Sequence, residues 1–371
     1  MTRRIPFDYW LFVITFVLVL VGIVMVFSSS SIYALQNFGD SYYFLKKQIL
    51  FSACGFFLLI LLLFVDYHHF YKIIYPLLGI SLLLMLALFV PGIGHRVGGA
   101  RRWIDIGFFR FQPAEIAKYA VVFYLAYSLS KKEEKVRSFI VGFVPHLFVT
   151  GIFLGLLLLQ PDFGTALALA FIALLMLFAA GARLSYLISA LLIVITAATF
   201  LIMNAPYRKN RILAFLNPWE DPKNTGFQII QSFLAFYSGG ILGLGLGDGR
   251  QKLFYLPEAH TDFIFSVAGE ELGFLGVMFI VSLFILFLYR GIRIALRAPD
   301  LFGVYLALGI TVLISFQAIT NIGVVMGLLP TKGLALPFMS AGGSSLICNL
   351  SGIGILLNIS AQQQNVTRHY R

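Results

Sequence analysis

Long apolar runs, most of them close to twenty residues and separated by short polar breaks, recur along almost the whole of this 371-residue chain. A bilayer core is about 30 Å thick, and an α-helix needs about 20 apolar residues to cross it. Hydrophobic residues make up 60% of the chain and charged residues 12%, and the mean hydropathy is +0.91. That composition belongs to a membrane protein rather than to two or three soluble domains. The runs predict ten spans, at 8–30, 45–65, 72–90, 114–130, 138–160, 163–181, 186–204, 263–289, 301–326 and 345–361. The expected fold is therefore an all-α polytopic membrane protein of about ten transmembrane helices. A single integral membrane unit spans 1–371, with a large loop at 205–262 between helices 7 and 8. The first run follows Arg3 and Arg4 and is too long for a signal-peptide core, so it reads as a retained helix.

With an even number of spans both termini share one side. The short breaks there carry Lys131, Lys132, Lys135, Arg137, Arg183, Arg290, Arg293 and Arg297. The positive-inside rule makes that side, with both termini, cytoplasmic. The formal charge of +11 has no soluble basic domain to hold it, which excludes a nucleic-acid role. The opposite side is basic as well. A loop at 91–112 holds Arg96, Arg101, Arg102 and Arg110, and the loop at 205–261 holds Arg208, Lys209, Arg211, Lys223, Arg250 and Lys252. These cations suit an anionic ligand, or equally lipid headgroups and neighbouring carboxylates. Segment 227–236 alternates apolar and polar residues and is expected as an interfacial helix.

Carboxylates near the predicted membrane boundary are the candidates for chemistry. In Leu256-Pro-Glu-Ala-His-Thr-Asp262, the aspartate sits where the long loop meets the eighth span. A carboxylate against an apolar wall gains proton affinity and can act as a general base. Thr261 and Asp262 are also good N-cap types, and from the residues alone a helix cap is the commoner outcome. His260 is a surface residue or a site residue on the same terms. Glu270 and Glu271 lie two turns into that helix, where charge is costly and faces a partner or a cavity. Glu115 and Lys118 are three apart at a helix start opened by Pro113, and Asp162 occupies a tight break in Gln160-Pro-Asp-Phe-Gly-Thr165. A Lys118 to Asp162 pair would satisfy two buried charges at once.

The Gly-rich run 239–249 lacks the strand and helix that frame a nucleotide loop and reads as a flexible or tightly turned segment. Gly342-Gly-Ser-Ser345 presents free backbone N–H groups suited to phosphate oxygen. Ser28 to Ser31 reads as a boundary cap, and Cys54 and Cys348 as small buried hydrophobes.

Several of these segments together resemble the SEDS family (shape, elongation, division and sporulation proteins), most closely its FtsW-type division branch. The matching stretches are Phe111-Gln-Pro-Ala-Glu-Ile-Ala-Lys118, Gln160 to Thr165, Tyr207-Arg-Lys-Asn-Arg211 with Asn217-Pro-Trp219, Leu256 to Phe265 with Gly269-Glu-Glu-Leu-Gly273, and Gly327 to Phe338 with Gly342 to Ser345. Pro330-Thr-Lys-Gly333 resembles the FtsW and sporulation branches. Ala335 and Ala341 depart from the branch, which often has proline and tyrosine there. The resemblance implies a peptidoglycan glycosyltransferase that polymerises lipid II, the undecaprenyl-pyrophosphoryl disaccharide-peptide. It makes Asp262 the essential outer aspartate, acting as base on an acceptor hydroxyl while pyrophosphate departs with inversion. Arg101, Arg102, Lys118, Arg208, Arg211, Lys332, Ser344 and Ser345 are then candidate pyrophosphate contacts, and Glu115, Asp162, His260, Glu270 and Glu271 supporting polar groups. A divalent cation, Mg or Mn, is compatible with this chemistry, and no organic cofactor is implied. The implied partners are a class B penicillin-binding protein and other divisome or elongation proteins. A lipid II flippase and a scaffold that recruits a transpeptidase are the rival readings.

Overall fold

The computed structural model describes residues 7–97, 100–105, 107, 110–252, 256–331 and 333–369. Helices dominate: α1 (Tyr9–Phe38), α2 (Tyr43–Phe64), α3 (Phe70–Ala87), α4 (Pro113–Lys131), α5 (Val144–Leu159), α6 (Phe163–Ala179), α7 (Leu184–Met203), α8 (Pro206–Leu216), α9 (Phe227–Gly239), α10 (Ile264–Leu296), α11 (Leu301–Val325) and α12 (Gly343–His369). Each of the ten expected spans coincides with a helix, and α8 and α9 form within the long loop, α9 where an interfacial helix was expected. Eight helices among the described residues are long and apolar enough to cross a membrane. The two expected spans outside that set are α6, 17 residues long, and α4, which carries Glu115 and Lys118 and is buried along most of its length.

The bundle has an inside and a rim. In α11 and α12, 78% of the apolar stretch is buried, against 11% in α7 and 28% in α2. The first pair form the centre, and the second face outward, as lipid-contacting helices do. Cys54 is exposed on this rim, which corrects its reading as a buried hydrophobe, while Cys348 is partly buried. Helix starts follow elementary capping chemistry. Asp8 accepts from Leu11 N at 3.0 Å, Asp162 from Thr165 N at 3.3 Å, and Pro113 and Pro206 occupy first turns where no N–H is needed.

The loop at 91–112 is not bare, and here the all-α expectation needs an addition. Strands β1 (Gly94–Val97), β2 (Ala100–Asp105) and β3 (Arg110–Phe111) form an antiparallel sheet in the order β1-β2-β3. Gly94 pairs with Ile104 and Asp105 with Arg110, and a bulge interrupts the register between His95 and Arg96. The sheet leads through Gln112 into α4 at one end of the bundle. At the other end Asp8 N donates to Ser360 Oγ at 3.0 Å, which brings the two terminal helices together.

A buried charge network ties the Gly-rich turn to the bundle. Lys252 Nζ lies 2.6 Å from Glu271 Oε1, and Ser28 Oγ donates to the same carboxylate at 2.6 Å. Ser28 is therefore a member of this network and not a boundary cap. Glu270 Oε1 accepts from Arg250 N at 2.8 Å, and Leu244 N donates to Glu270 O at 3.0 Å. Gly243, at φ 82, and Gly273, at φ 66, approach so closely that a Cβ on either would collide with main chain of the other's segment. Gly273 also bends α10. Removing one partner of a buried ion pair strands the other charge and costs about 3–5 kcal/mol. Lys252→Met or Glu271→Leu alone should therefore lower the melting temperature of the detergent-solubilised protein markedly, and the double variant should recover part of the loss.

Candidate functional site

Asp262 precedes α10, but its side chain does not cap that helix. The N-cap residue is Phe263, without a side-chain cap hydrogen bond. Thr261 is diverted too, because its Oγ1 donates to Glu258 Oε2 at 2.7 Å. The segment is shaped by Glu258, which adopts φ 55, with Thr261 N and Phe263 N folding back onto its carbonyl at 3.1 and 3.2 Å. Two buried side chains then clamp it, Asn321 near the end of α11 and Ser340 in the α11–α12 connection. Ser340 Oγ donates to Thr261 O at 2.6 Å, and Asn321 Nδ2 donates both to Asp262 O at 2.8 Å and to Leu334 O at 2.7 Å. The backbone of Asp262 is thus fixed while its carboxylate points into open space.

That space is two adjoining chambers. The larger, of about 560 Å³, is walled by Arg102, Asp162, Arg208, Arg211, Glu258 and Asp262, among others. The smaller, of about 220 Å³, is bounded by Gln112, Glu115, Gln317, Ser344 and Ser345, and shares Arg102, Trp103, Glu258, Asp262 and Gly333 with the first. Asp262 stands where they meet. The arginines are held by main-chain carbonyls: Arg102 donates to Gln160 O at 3.3 Å and to Pro161 O, Arg208 to Leu201 O at 3.1 Å, and Arg211 to Thr331 O at 3.2 Å. Arg211 also lies over the Tyr207 ring. Carbonyl partners leave the guanidinium charge uncancelled.

Burial, helped by the neighbouring Glu258 charge and opposed by Arg211 and Arg102, pushes the Asp262 carboxyl up to about 7. A carboxyl poised there is ionised in part at neutral pH and takes up a proton readily. The arrangement supplies a base, three fixed cations and room for a ligand of several rings. Among the described residues no group of three or more His, Cys, Asp or Glu is arranged to hold a metal ion.

The family model described as cell cycle protein, covering FtsW, RodA and SpoVE, matches residues 9–365. The chain belongs to this family. It is 53% identical over 343 residues, 92% of each chain, to the probable peptidoglycan glycosyltransferase FtsW of Geobacter metallireducens. It is 44% identical to the stage V sporulation protein E of Bacillus subtilis, over 97% of this chain and 98% of that one. Among solved structures, a chain of a peptidoglycan synthase complex superposes with a TM-score of 0.79 at 30% identity, covering 96% of this chain and 98% of that one. RodA of Thermus thermophilus follows at 0.71 and 29%, with the same coverage.

Within this FtsW/RodA/SpoVE chain the candidates separate into groups. Asp262, Arg102, Arg208, Arg211, Asp162, Glu115, Ser344 and Ser345 line the chambers. Arg101 does not; it neighbours Arg102 on β2 but is absent from both walls. Lys118 pairs with Glu115 at 2.8 Å rather than with Asp162, because the i, i+3 spacing delivers a carboxylate on its own helix. His260 packs its ring against Tyr33 and Phe44, with centroids 5.4 and 4.7 Å away, and lines neither chamber. Glu270 and Glu271 belong to the buried network described above. Lys332 lies outside the described residues. Glu258, Trp103, Gln112 and Gln317 line the site and were not anticipated, although Glu258 shares the Asp262 motif and was findable as its second carboxylate.

Folding raises the proton affinity of Asp262 above the ordinary carboxylate value of 3.8. Native stability is then greatest below that value and falls as pH rises towards about 7, where the buried site must also ionise. Asp262→Asn removes this penalty. Thermal melts should show the variant more stable than the parent at pH 8, with the difference vanishing near pH 4.

Proposed function

We propose that Asp262 is the general base of this peptidoglycan glycosyltransferase, which polymerises lipid II at the outer face of the bacterial cytoplasmic membrane. The observation that carries the reading is a carboxylate, uncapped and with raised proton affinity, at the junction of two chambers beside three carbonyl-anchored arginines. The donor's pyrophosphate lies in the larger chamber against Arg102, Arg208 and Arg211, which hold its charge as it departs. The acceptor's sugar hydroxyl reaches Asp262, loses its proton to the carboxylate and attacks the anomeric carbon from the face opposite the leaving group. One glycosidic bond forms, one bond to phosphate breaks, and configuration inverts. The polyprenyl tail stays between rim helices in the bilayer.

The basic breaks at the end bearing the termini support a cytoplasmic location for that end, and hence an external location for the chambers. The likeness to a chain of a peptidoglycan synthase complex that coordinates polymerization and crosslinking supports a class B penicillin-binding protein as partner, with other divisome or elongation proteins around it. A scaffold alone would have no use for an uncapped carboxylate in a cavity.

The test is polymerisation of lipid II by the purified protein, alone and with that partner, read as glycan chain length on a gel. Asp262→Asn should lower the rate at least about 100-fold, the scale of a lost general base, while the variant remains folded by the melting criterion given above. Full activity in Asp262→Asn removes Asp262 from the role. Because the base must be ionised, the parent's rate should climb as pH rises through about 7. Glu258→Gln, which takes away a like charge, should move that midpoint to lower pH, and Arg102→Gln should move it higher.

A further inference from the structure

At the end of the bundle that carries both termini, a groove of about 510 Å³ opens between the start of α1, the last turns of α10 and the end of α12. Arg290 and Arg293, three apart on the last turns of α10, and Arg297, its C-cap residue, line the groove. Asp8 is the one carboxylate lining it among the described residues, and it is already engaged, with Arg290 Nε 3.0 Å from Asp8 Oδ2. Arg293 and Arg297 have no carboxylate partner among the described residues. Two guanidinium groups in a concave site without counter-charge call for an anion from outside the fold. Tyr9 and Trp10, on the first turn of α1, are 64% and 62% exposed. Aromatic rings exposed at the end of a membrane helix sit at headgroup level, so the groove opens at the membrane interface, where the abundant anions are lipid phosphates. Phe7 and Ile294 add apolar wall for the glycerol and upper acyl chain.

We propose that this groove binds the phosphate of an anionic phospholipid headgroup, with Arg293 and Arg297 as the phosphate contacts. A guanidinium matches a phosphate through paired N–H donors, which a scattered surface charge does not. The site is at the opposite end of the bundle from Asp262 and is independent of the reading given to that residue.

The experiment is native mass spectrometry of the full-length protein in detergent with added phosphatidylglycerol. Arg293→Gln/Arg297→Gln should retain the first lipid about tenfold less well, the equivalent of roughly 1.4 kcal/mol. Lys135→Gln/Arg183→Gln, which removes equal charge elsewhere at the same end, should retain it as the parent does. Arg293→Lys/Arg297→Lys should hold it better than the glutamine pair. Equal loss in the two charge-matched variants, equal retention of phosphatidylcholine by the parent, or no advantage of the lysine pair over the glutamine pair would overturn the proposal. Release of the lipid by millimolar inorganic phosphate would also overturn it, in favour of a free-phosphate site.

Discussion

A bilayer supplies no water, so every polar group that enters it must find its partner within the protein. That constraint organises this molecule more than any single apolar contact. Lys252, Glu271 and Ser28 satisfy one another across three segments, Lys118 finds Glu115 Oε1 on its own helix, and Arg290 reaches Asp8 at the opposite end. Once these pairs are made, the helices have little freedom to slide. The position of the Asp262 segment then follows from the Asn321 and Ser340 hydrogen bonds that complete the same accounting.

The site is the place where the accounting is deliberately left open. Asp262 is held by its backbone while its carboxylate faces a cavity, and the three arginines nearby spend hydrogen bonds on carbonyls without losing their charge. On the proposed function, such a pocket suits a ligand that brings negative charge and a hydroxyl to be deprotonated. Peptidoglycan precursors bring both.

Much of this was legible in the residues because the bilayer writes its length into sequence. Spans of about twenty apolar residues announce themselves, and Pro113 and Asp162 mark helix starts by known chemistry. The sheet at 94–111 was not legible, since strands of four, six and two residues rich in Arg carry no usable alternation. Asp262 was ambiguous for a physical reason: the same residue type makes a good cap and a good base, and only the folded segment, with its left-handed turn at Glu258 and the Ser340 clamp, shows that it does not cap α10. The partner of Lys118 was misjudged because a distant carboxylate in a second motif outweighed the nearer one three residues away. Ser28 gave no local sign of its role, since its partners lie more than 220 positions away in the chain.

The meeting of Gly243 with Gly273 has a bearing on how such a machine can vary. Most contacts in a helical bundle adapt by exchanging one side chain for another, but here two stretches of main chain touch with no side chain between them. Any bulk introduced at that joint must displace the backbone itself, either at Ile241–Gly243 or at Glu271–Gly273. The bend of α10 at Gly273 is thus set by main chain on both sides, and no exchange of side chains can compensate for a change there.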